Sequence, residues 1–449
     1  MDLLILLPIS VSFAGLYMLF KLRFFFFRHP IKTAKKFLYA IKRPGSLGAL
    51  SLALAGTLGV GNIFGVSVAI INGGAGALFW MLVSSIFSCV IKYSEVLISH
   101  DSDIKSLGMI SVIAKTFGKK GGFIAAIYAS FAILLSLVMG CMLQSRSVGS
   151  AMCDVLGTNK ILVTVFFLLC VAASVLGGNG KIQKTLTKIL PLTTAVYIFM
   201  TSLVVFLHFS SVPNAISDML LGAFSVRSFS MGVGVSLFLS ALKEGYVGGM
   251  LSNEAGVGTS SFGHGVANEN SPVESGLLGA FEVFFDTGVV CMLTGFAILT
   301  AVPNYSEYTS AMLLITDAIA SVFGYVSAFA LVGCVFFFAF STVICWFYYG
   351  SLCFEYLFGK KALRLFSVAF FLFIILGIFS TDRTSVRLAD TILVVMSLPT
   401  LISVIKNSDR IKALSENENM FSKRIKANGC GSKPCRRLPH ILKRNRPRS

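Results

Sequence analysis

The sequence predicts an all-α polytopic membrane protein of about eleven transmembrane helices: one extra N-terminal helix, then an inverted five-plus-five repeat with a broken first helix in each repeat. Three observations lead there. Apolar residues make up 55% of the 449 residues and charged ones 13%, with a mean hydropathy of +0.82, outside the range of soluble domains. Apolar runs near or above the ~20 residues that a bilayer requires recur along the chain. Two of those runs are interrupted by glycines.

The first run, 3–26, carries an acid at Asp2, no basic start and no small-residue cleavage pattern, so residues 1–27 read as a retained helix. Residues 28–47 form a basic linker. The next run, 48–72, contains Gly56, Gly59, Gly61 and Gly65 among residues suited to lipid or a bundle core. Each glycine weakens a helix by about 1 kcal/mol relative to alanine. Backbone that unwinds at membrane depth persists only where it lines a cavity or is buried in protein. A broken helix here therefore suggests a binding site. Runs at 76–99, 122–150, 161–178 and 189–208 complete a first half, 48–209.

The second half, 229–405, starts with the run 229–260, which carries Gly245, Gly248 and Gly249 followed by Ser252-Asn253-Glu254-Ala255-Gly256-Val257-Gly258. Runs at 276–301, 326–357, 363–380 and 388–405 follow. An odd number of helices per half forces the halves into opposite orientations. Interrupted helices at matching positions of two inverted halves point to a secondary transporter's site near the bilayer midplane. There, exposed N–H groups of a half-helix favour a carboxylate and freed carbonyls coordinate a cation. That is a site for an amino acid with a coupling ion.

The net charge of +18 resides in two places. Eight Lys and Arg with no acid lie between Lys21 and Ser46; thirteen lie between Lys406 and Ser449 against Asp409, Glu416 and Glu418. Nucleic-acid binding is the rival reading. Basic residues collect on the cytoplasmic side of membrane helices and attract anionic lipid headgroups, which is the simpler one. Loops with Lys105, Lys115, Lys119 and Lys120, with Lys181, Lys184 and Lys188, and with Lys360, Lys361 and Arg364 fall on that same side. The amino end is then outside, and the basic tail 406–449 is cytoplasmic, in a bacterial-type plasma (inner) membrane. The ten cysteines are scattered, mostly within apolar runs, and form no disulfide frame. Cys430, Cys435 and one distant His440 make a poor zinc set. None of the five histidines (His29, His100, His208, His264, His440) sits in a nucleophile or metal pattern, which argues against an enzyme. A channel would need a repeated filter or charged rings, and the chain has neither.

Four blocks carry a family resemblance. They are GTLGVGNIFGVSVAIINGGAGALFWM (56–81) with KYSE (92–95), LSNEAGVGTSSFGHGVANENSPVESGLLGAFEVFFDTGVVCMLTGFAILT (251–300), FAFSTVICWFYYGSLCFEYLFG (338–359), and LGGNGKIQK with ILPLTTAVY (176–197). Over 47–405 the chain resembles the alanine/glycine:cation symporter family, which implies the leucine-transporter-type fold. The resemblance implies that Gly59, Val60, Gly61 and Asn62 hold substrate and sodium at the first break. Gly61 and Gly65 also form a GxxxG pair that would serve helix packing alone. Ser252 and Asn253 of the SNEAG segment are expected at the substrate. Gln144 matches a glutamine that reaches the bound amino acid, although a polar amide can also simply bond a neighbouring helix for ~0.6 kcal/mol. Ser341 and Thr342 match paired hydroxyls that complete a sodium site with Gly59, though such hydroxyls also bond their own helix. Trp346 matches a pocket tryptophan.

Glu254 and Asp286 are ionisable at membrane depth, hence functional candidates, either bracing the break or touching the ion. One departure stands out: Arg146 occupies the position of the family's asparagine. A permanent guanidinium in the bundle needs an acid, with Glu254, Glu244 and Asp286 as candidates. It could supply a fixed charge where others use an ion. The expected function is a symporter importing small neutral amino acids (alanine, glycine, D-alanine) with sodium by alternating access. No cofactor beyond the coupling ion is implied. A proton-coupled or uncoupled permease and a non-transporting amino-acid sensor are the alternatives.

Overall fold

The computed structural model describes residues 5–24, 28, 30–43, 45–102, 104–175, 179–224, 234–266 and 271–416. Expectations for Cys430, Cys435, His440 and most of the basic tail lie outside these residues. The described chain is a helical, multi-pass membrane protein. Seven of its helices are long and apolar enough to cross a membrane, or eight when one bent pair counts as a single span.

Helix α1 (Leu6–Lys21) is followed by the amphipathic α2 (Pro30–Ile41), which lies within the segment expected to be a linker. Phe37 of α2 stacks on Phe281 with centroids 4.0 Å apart, and Ala40 packs with Leu50 and Leu278. The bent pair is α3 (Ser46–Thr57) and α4 (Phe64–Gly73), joined through a single 3-10 turn at Val60–Asn62. The two halves of the bend meet at 55°. The long α5 (Gly76–His100) leads through the short α6 (Gly108–Thr116) into α7 (Gly121–Leu137). The α7 rod continues through a π-helical segment (Val138–Leu143), α8 (Gln144–Gly149) and a second π segment (Ser150–Val155). Helices α9 (Lys160–Val175) and α10 (Asn179–Leu207) follow, then α11 (Val212–Ala223), which the run pattern did not foresee.

Helix α12 (Gly234–Asn253) ends at a loop, 254–259, beyond which α13 (Ser260–His264) resumes for five residues. A capping box between Ser271 and Glu274 starts α14 (Pro272–Val283). That helix runs through a π segment (Phe284–Cys291) into α15 (Met292–Ala301). The unforeseen α16 (Ala311–Phe323) precedes α17 (Ser327–Phe358), α18 (Leu363–Phe379) and α19 (Asp382–Lys406).

Helix α5 packs against α12 and α14, and α4 packs against α12. Outer helices show the opposite pattern. Leu365, Val368, Leu372, Leu376 and Phe379 form an exposed stripe along α18, the mark of a lipid-facing surface. Beyond α19, residues 408–416 fold back as a helix over α1 and α5. Lys21 and Asp409 pair at 2.6 Å, Arg410 and Asp101 at 2.6 Å, and Tyr93 Oη shares a hydrogen bond with Ser415 Oγ at 2.8 Å.

One expectation is corrected. Gly245, Gly248 and Gly249 do not interrupt α12; they lie inside a continuous helix. Their absent side chains let α12 approach α5. A Cβ at Gly249 would come within 2.6 Å of Ser84 Oγ, one at Gly248 within 2.8 Å of Met81 Cε, and one at Gly245 would strike the carbonyl oxygen of Ala77. The interruption comes later, at 254–259.

Candidate functional site

The first break is built from glycine and a few polar groups. After Thr57 the chain stretches out at Gly59 (φ −118, ψ −158) and turns once through Val60–Asn62 before α4 begins. Gly59 sits against α17 and α8. A Cβ there would lie 2.6 Å from Thr342 Oγ1 and 3.1 Å from Gln144 Oε1, so the position has room for glycine alone. Val60 N–H donates to Gln144 Oε1 at 3.2 Å, and Gln144 Nε2 donates to the carbonyl of Met139, inside the π segment, at 3.3 Å. Ser341 Oγ donates to the carbonyl of Phe338 at 2.9 Å. Thr342 Oγ1 is buried and has no hydrogen-bond partner among the described residues; nor has Asn62 Oδ1. Buried polar atoms are nearly always paired, so two orphans at one helix break call for a ligand.

The two breaks meet on Asp286, which projects from the π segment after α14. Its carboxylate accepts from Asn62 Nδ2 (2.5 Å), Ser252 Oγ (2.5 Å) and Thr287 Oγ1 (2.9 Å). Asn253 Nδ2 donates to Thr287 Oγ1 at 3.0 Å, and its Oδ1 accepts from Ala255 N–H at 2.9 Å. All of these side chains are buried. Between α4 and α12 a narrow cleft is lined by Val60, Gly61, Phe64, Gly65, Leu143 and Leu251, with Glu244 also in its wall. Gly61 would place a Cβ 3.1 Å from the carbonyl oxygen of Leu251, so the packing role and the position at the cleft coincide.

The second break is held differently. Glu254, Gly256 and Gly258 all have positive φ (54°, 87° and 84°). Glu254 takes that conformation while its carboxylate accepts from Thr259 Oγ1 at 2.6 Å and from Trp346 Nε1 at 3.1 Å. Trp346 is thus tied to the second break, with its ring against Gly140, where a Cβ would strike it.

Arg146 is a correction. Its guanidinium pairs with Asp154, two turns along its own helix, at 3.5 Å. The expected partners are engaged elsewhere: Glu254 and Asp286 as described, and Glu244 with Lys243 at 3.2 Å. The mixture of α and π turns between them brings positions eight apart onto one face, which a uniform 3.6-residue period does not.

Two features were missed in the sequence. The π segments set Gln144 and Asp286 toward the breaks, and they leave no composition signal. A buried ionic cluster joins Lys92, Ser260, His264 and Glu282, with Lys92 Nζ to Ser260 Oγ at 2.7 Å and His264 Nε2 to Glu282 Oε2 at 3.1 Å. The KYSE block could have flagged Lys92, but its partners come from helices far along the chain.

Residues 2–428 match the profile described as the "Sodium:alanine symporter family". The chain belongs to that family. It is 32% identical over 371 residues to the sodium/alanine symporter AgcS of Methanococcus maripaludis, covering 80% of each chain. It is 29% identical over 437 residues to an uncharacterized transporter of Haemophilus influenzae, covering 94% of each. It is 26% identical over 413 residues to the probable sodium/glutamine symporter GlnT of Bacillus subtilis, covering 89% of this chain and 84% of that one.

Proposed function

We propose that the protein is a secondary active symporter that imports small neutral amino acids (alanine, glycine and D-alanine) with sodium, by alternating access of an inverted five-plus-five repeat. The observation that carries this reading is the first break, where the Thr342 hydroxyl and the Asn62 amide oxygen are buried beside unwound backbone without partners. Oxygen donors of this kind suit a hard cation. Gly59, Ser341 and Thr342 would hold the sodium. The N–H groups that open α4 would take the substrate carboxylate. Val60, Gly61, Asn62 and Gln144 would contact the amino acid from the first break, and Ser252, Asn253 and Trp346 from the second. Asp286 and Glu254 would brace the two breaks, and Arg146 would tune the coupling. The narrow, mostly apolar cleft between α4 and α12 favours a small side chain.

In this reading the amino end faces outward and the basic linker and tail meet anionic lipid on the cytoplasmic side. Reconstituted protein, given radiolabelled alanine with an inward sodium gradient, tests the proposal. Accumulation should require sodium and be competed by glycine and D-alanine but not by leucine or glutamine. Binding without sodium-driven accumulation would instead favour a sensor.

A further inference from the structure

Glu95, on α5 in the segment Lys92-Tyr93-Ser94-Glu95, has no role in the site described above. It is fully buried, and among the described residues neither carboxylate oxygen has a hydrogen-bond partner. Lys92 one turn back on α5, Glu282 on α14 and Tyr128 on α7 act on it electrostatically, and Glu254 in the second break and His264 on α13 join the same cluster through Lys92 and Glu282. Each of those groups has a hydrogen-bond partner of its own. Lys92 Nζ donates to Ser260 Oγ and lies 3.7 Å from Glu282 Oε1. Glu282 accepts from Ser260 Oγ at 2.8 Å and pairs with His264. Glu254 accepts from Thr259 and Trp346, and Tyr128 Oη donates to the carbonyl of Val257 at 2.8 Å.

Three carboxylates therefore share a buried interior with one lysine and one histidine, and Glu95 is the one left without a hydrogen-bond donor among the described residues. An ionised carboxylate in that setting has lost water and gained no completed hydrogen bond in exchange. A metal cation would need several oxygen ligands. The loop beside Glu95 is closely packed on its other face, where a Cβ on Gly258 would lie 2.7 Å from Met109 Cγ and 2.8 Å from Tyr128 Oη.

We propose that Glu95 is a proton-binding site, carried as the neutral acid in this conformation and deprotonated when the loop 254–259 rearranges. The nearest donors are the backbone N–H groups of Gly256 and Gly258, which face Glu95 without completing a hydrogen bond. Backbone in this handedness presents its N–H groups as an anion-binding nest. Loss of the proton to water on the side where the cluster opens leaves an anion that draws these amides onto α5. Proton occupancy at Glu95 is thereby linked to the geometry of the second break. The consequence for transport rests on the symport reading above; the proton itself does not.

Two measurements separate them. Infrared spectra of the purified protein should contain a carboxylic-acid carbonyl band that disappears in Glu95→Gln and moves in Glu95→Asp. Initial alanine uptake at a fixed sodium gradient should depend on pH in wild type and in Glu95→Asp, and lose that dependence in Glu95→Gln while remaining sodium-driven. A spectrum unaltered by either substitution overturns the proton site, as does an unchanged pH profile in Glu95→Gln. Wild type that never accumulates alanine would sink the symport reading, while the infrared band still decides Glu95.

Discussion

Both helix interruptions contain glycine, but one is an extended step and a 3-10 turn and the other a run of positive-φ residues, and they are finished in opposite ways. The first, at 58–63, is bent by 55°, is touched by the neutral groups Gln144 and Thr342, and has the Asp286 carboxylate only at its far end, on Asn62. It leaves two buried oxygens without partners. The second, at 254–259, is stapled by carboxylates, with Glu254 reaching Thr259 and Trp346 inside it and Glu282 tying α13 to α5. The protein satisfies its second break from within and leaves the first to be satisfied by something that arrives. Asp286 is the link, since it holds Asn62 of the first and Ser252 just ahead of the second.

The sharpest way to break the comparison is to make one change in both places. Gly258→Ala meets a φ of +84° and close contacts with Met109 and Tyr128, and should cost about 3 kcal/mol or more of stability, read as a large drop in thermal midpoint. Gly59→Ala has no positive φ to violate. Its methyl would intrude on Thr342 Oγ1, so the fold should survive while sodium-driven uptake falls by about tenfold or more. Equal loss of stability at both sites would erase the distinction.

Asp286→Asn should come next, costing about 1–3 kcal/mol because a buried acceptor of three hydrogen bonds is weakened, with uptake reduced beyond the loss of folded protein. Trp346→Phe removes the indole donor to Glu254 and should cost about 1–2 kcal/mol, measured by thermal unfolding in detergent. The smallest effect belongs to Arg146→Asn. Its pair with Asp154 is partly exposed, so stability should change by no more than about 1 kcal/mol. A shifted sodium-dependence curve in that variant would mark Arg146 as a tuning charge in spite of its partner.

The first break was legible because four glycines in one apolar run have no good reading as plain helix. The SNEAG segment was legible through its resemblance, although the neighbouring Gly245, Gly248 and Gly249 drew the expected break too far upstream. Glycine composition alone cannot separate a helix that unwinds from one that presses against another, and α12 does the second. The π segments were out of reach because one extra residue per turn changes direction without changing composition. That is also why Asp154 meets Arg146. The pairing of Lys92 with Glu282 joins residues far apart in the chain and depends on how α5 meets α14.

The first break's claim on a cation is tested most directly by the sodium dependence of initial alanine uptake in proteoliposomes for wild type and Thr342→Val. Valine matches threonine in shape and removes the unpartnered hydroxyl, so thermal stability should hold or rise. Half-saturation by sodium should shift upward by about tenfold or more, the equivalent of one lost ligand. Superimposable sodium curves for the two proteins would contradict the account.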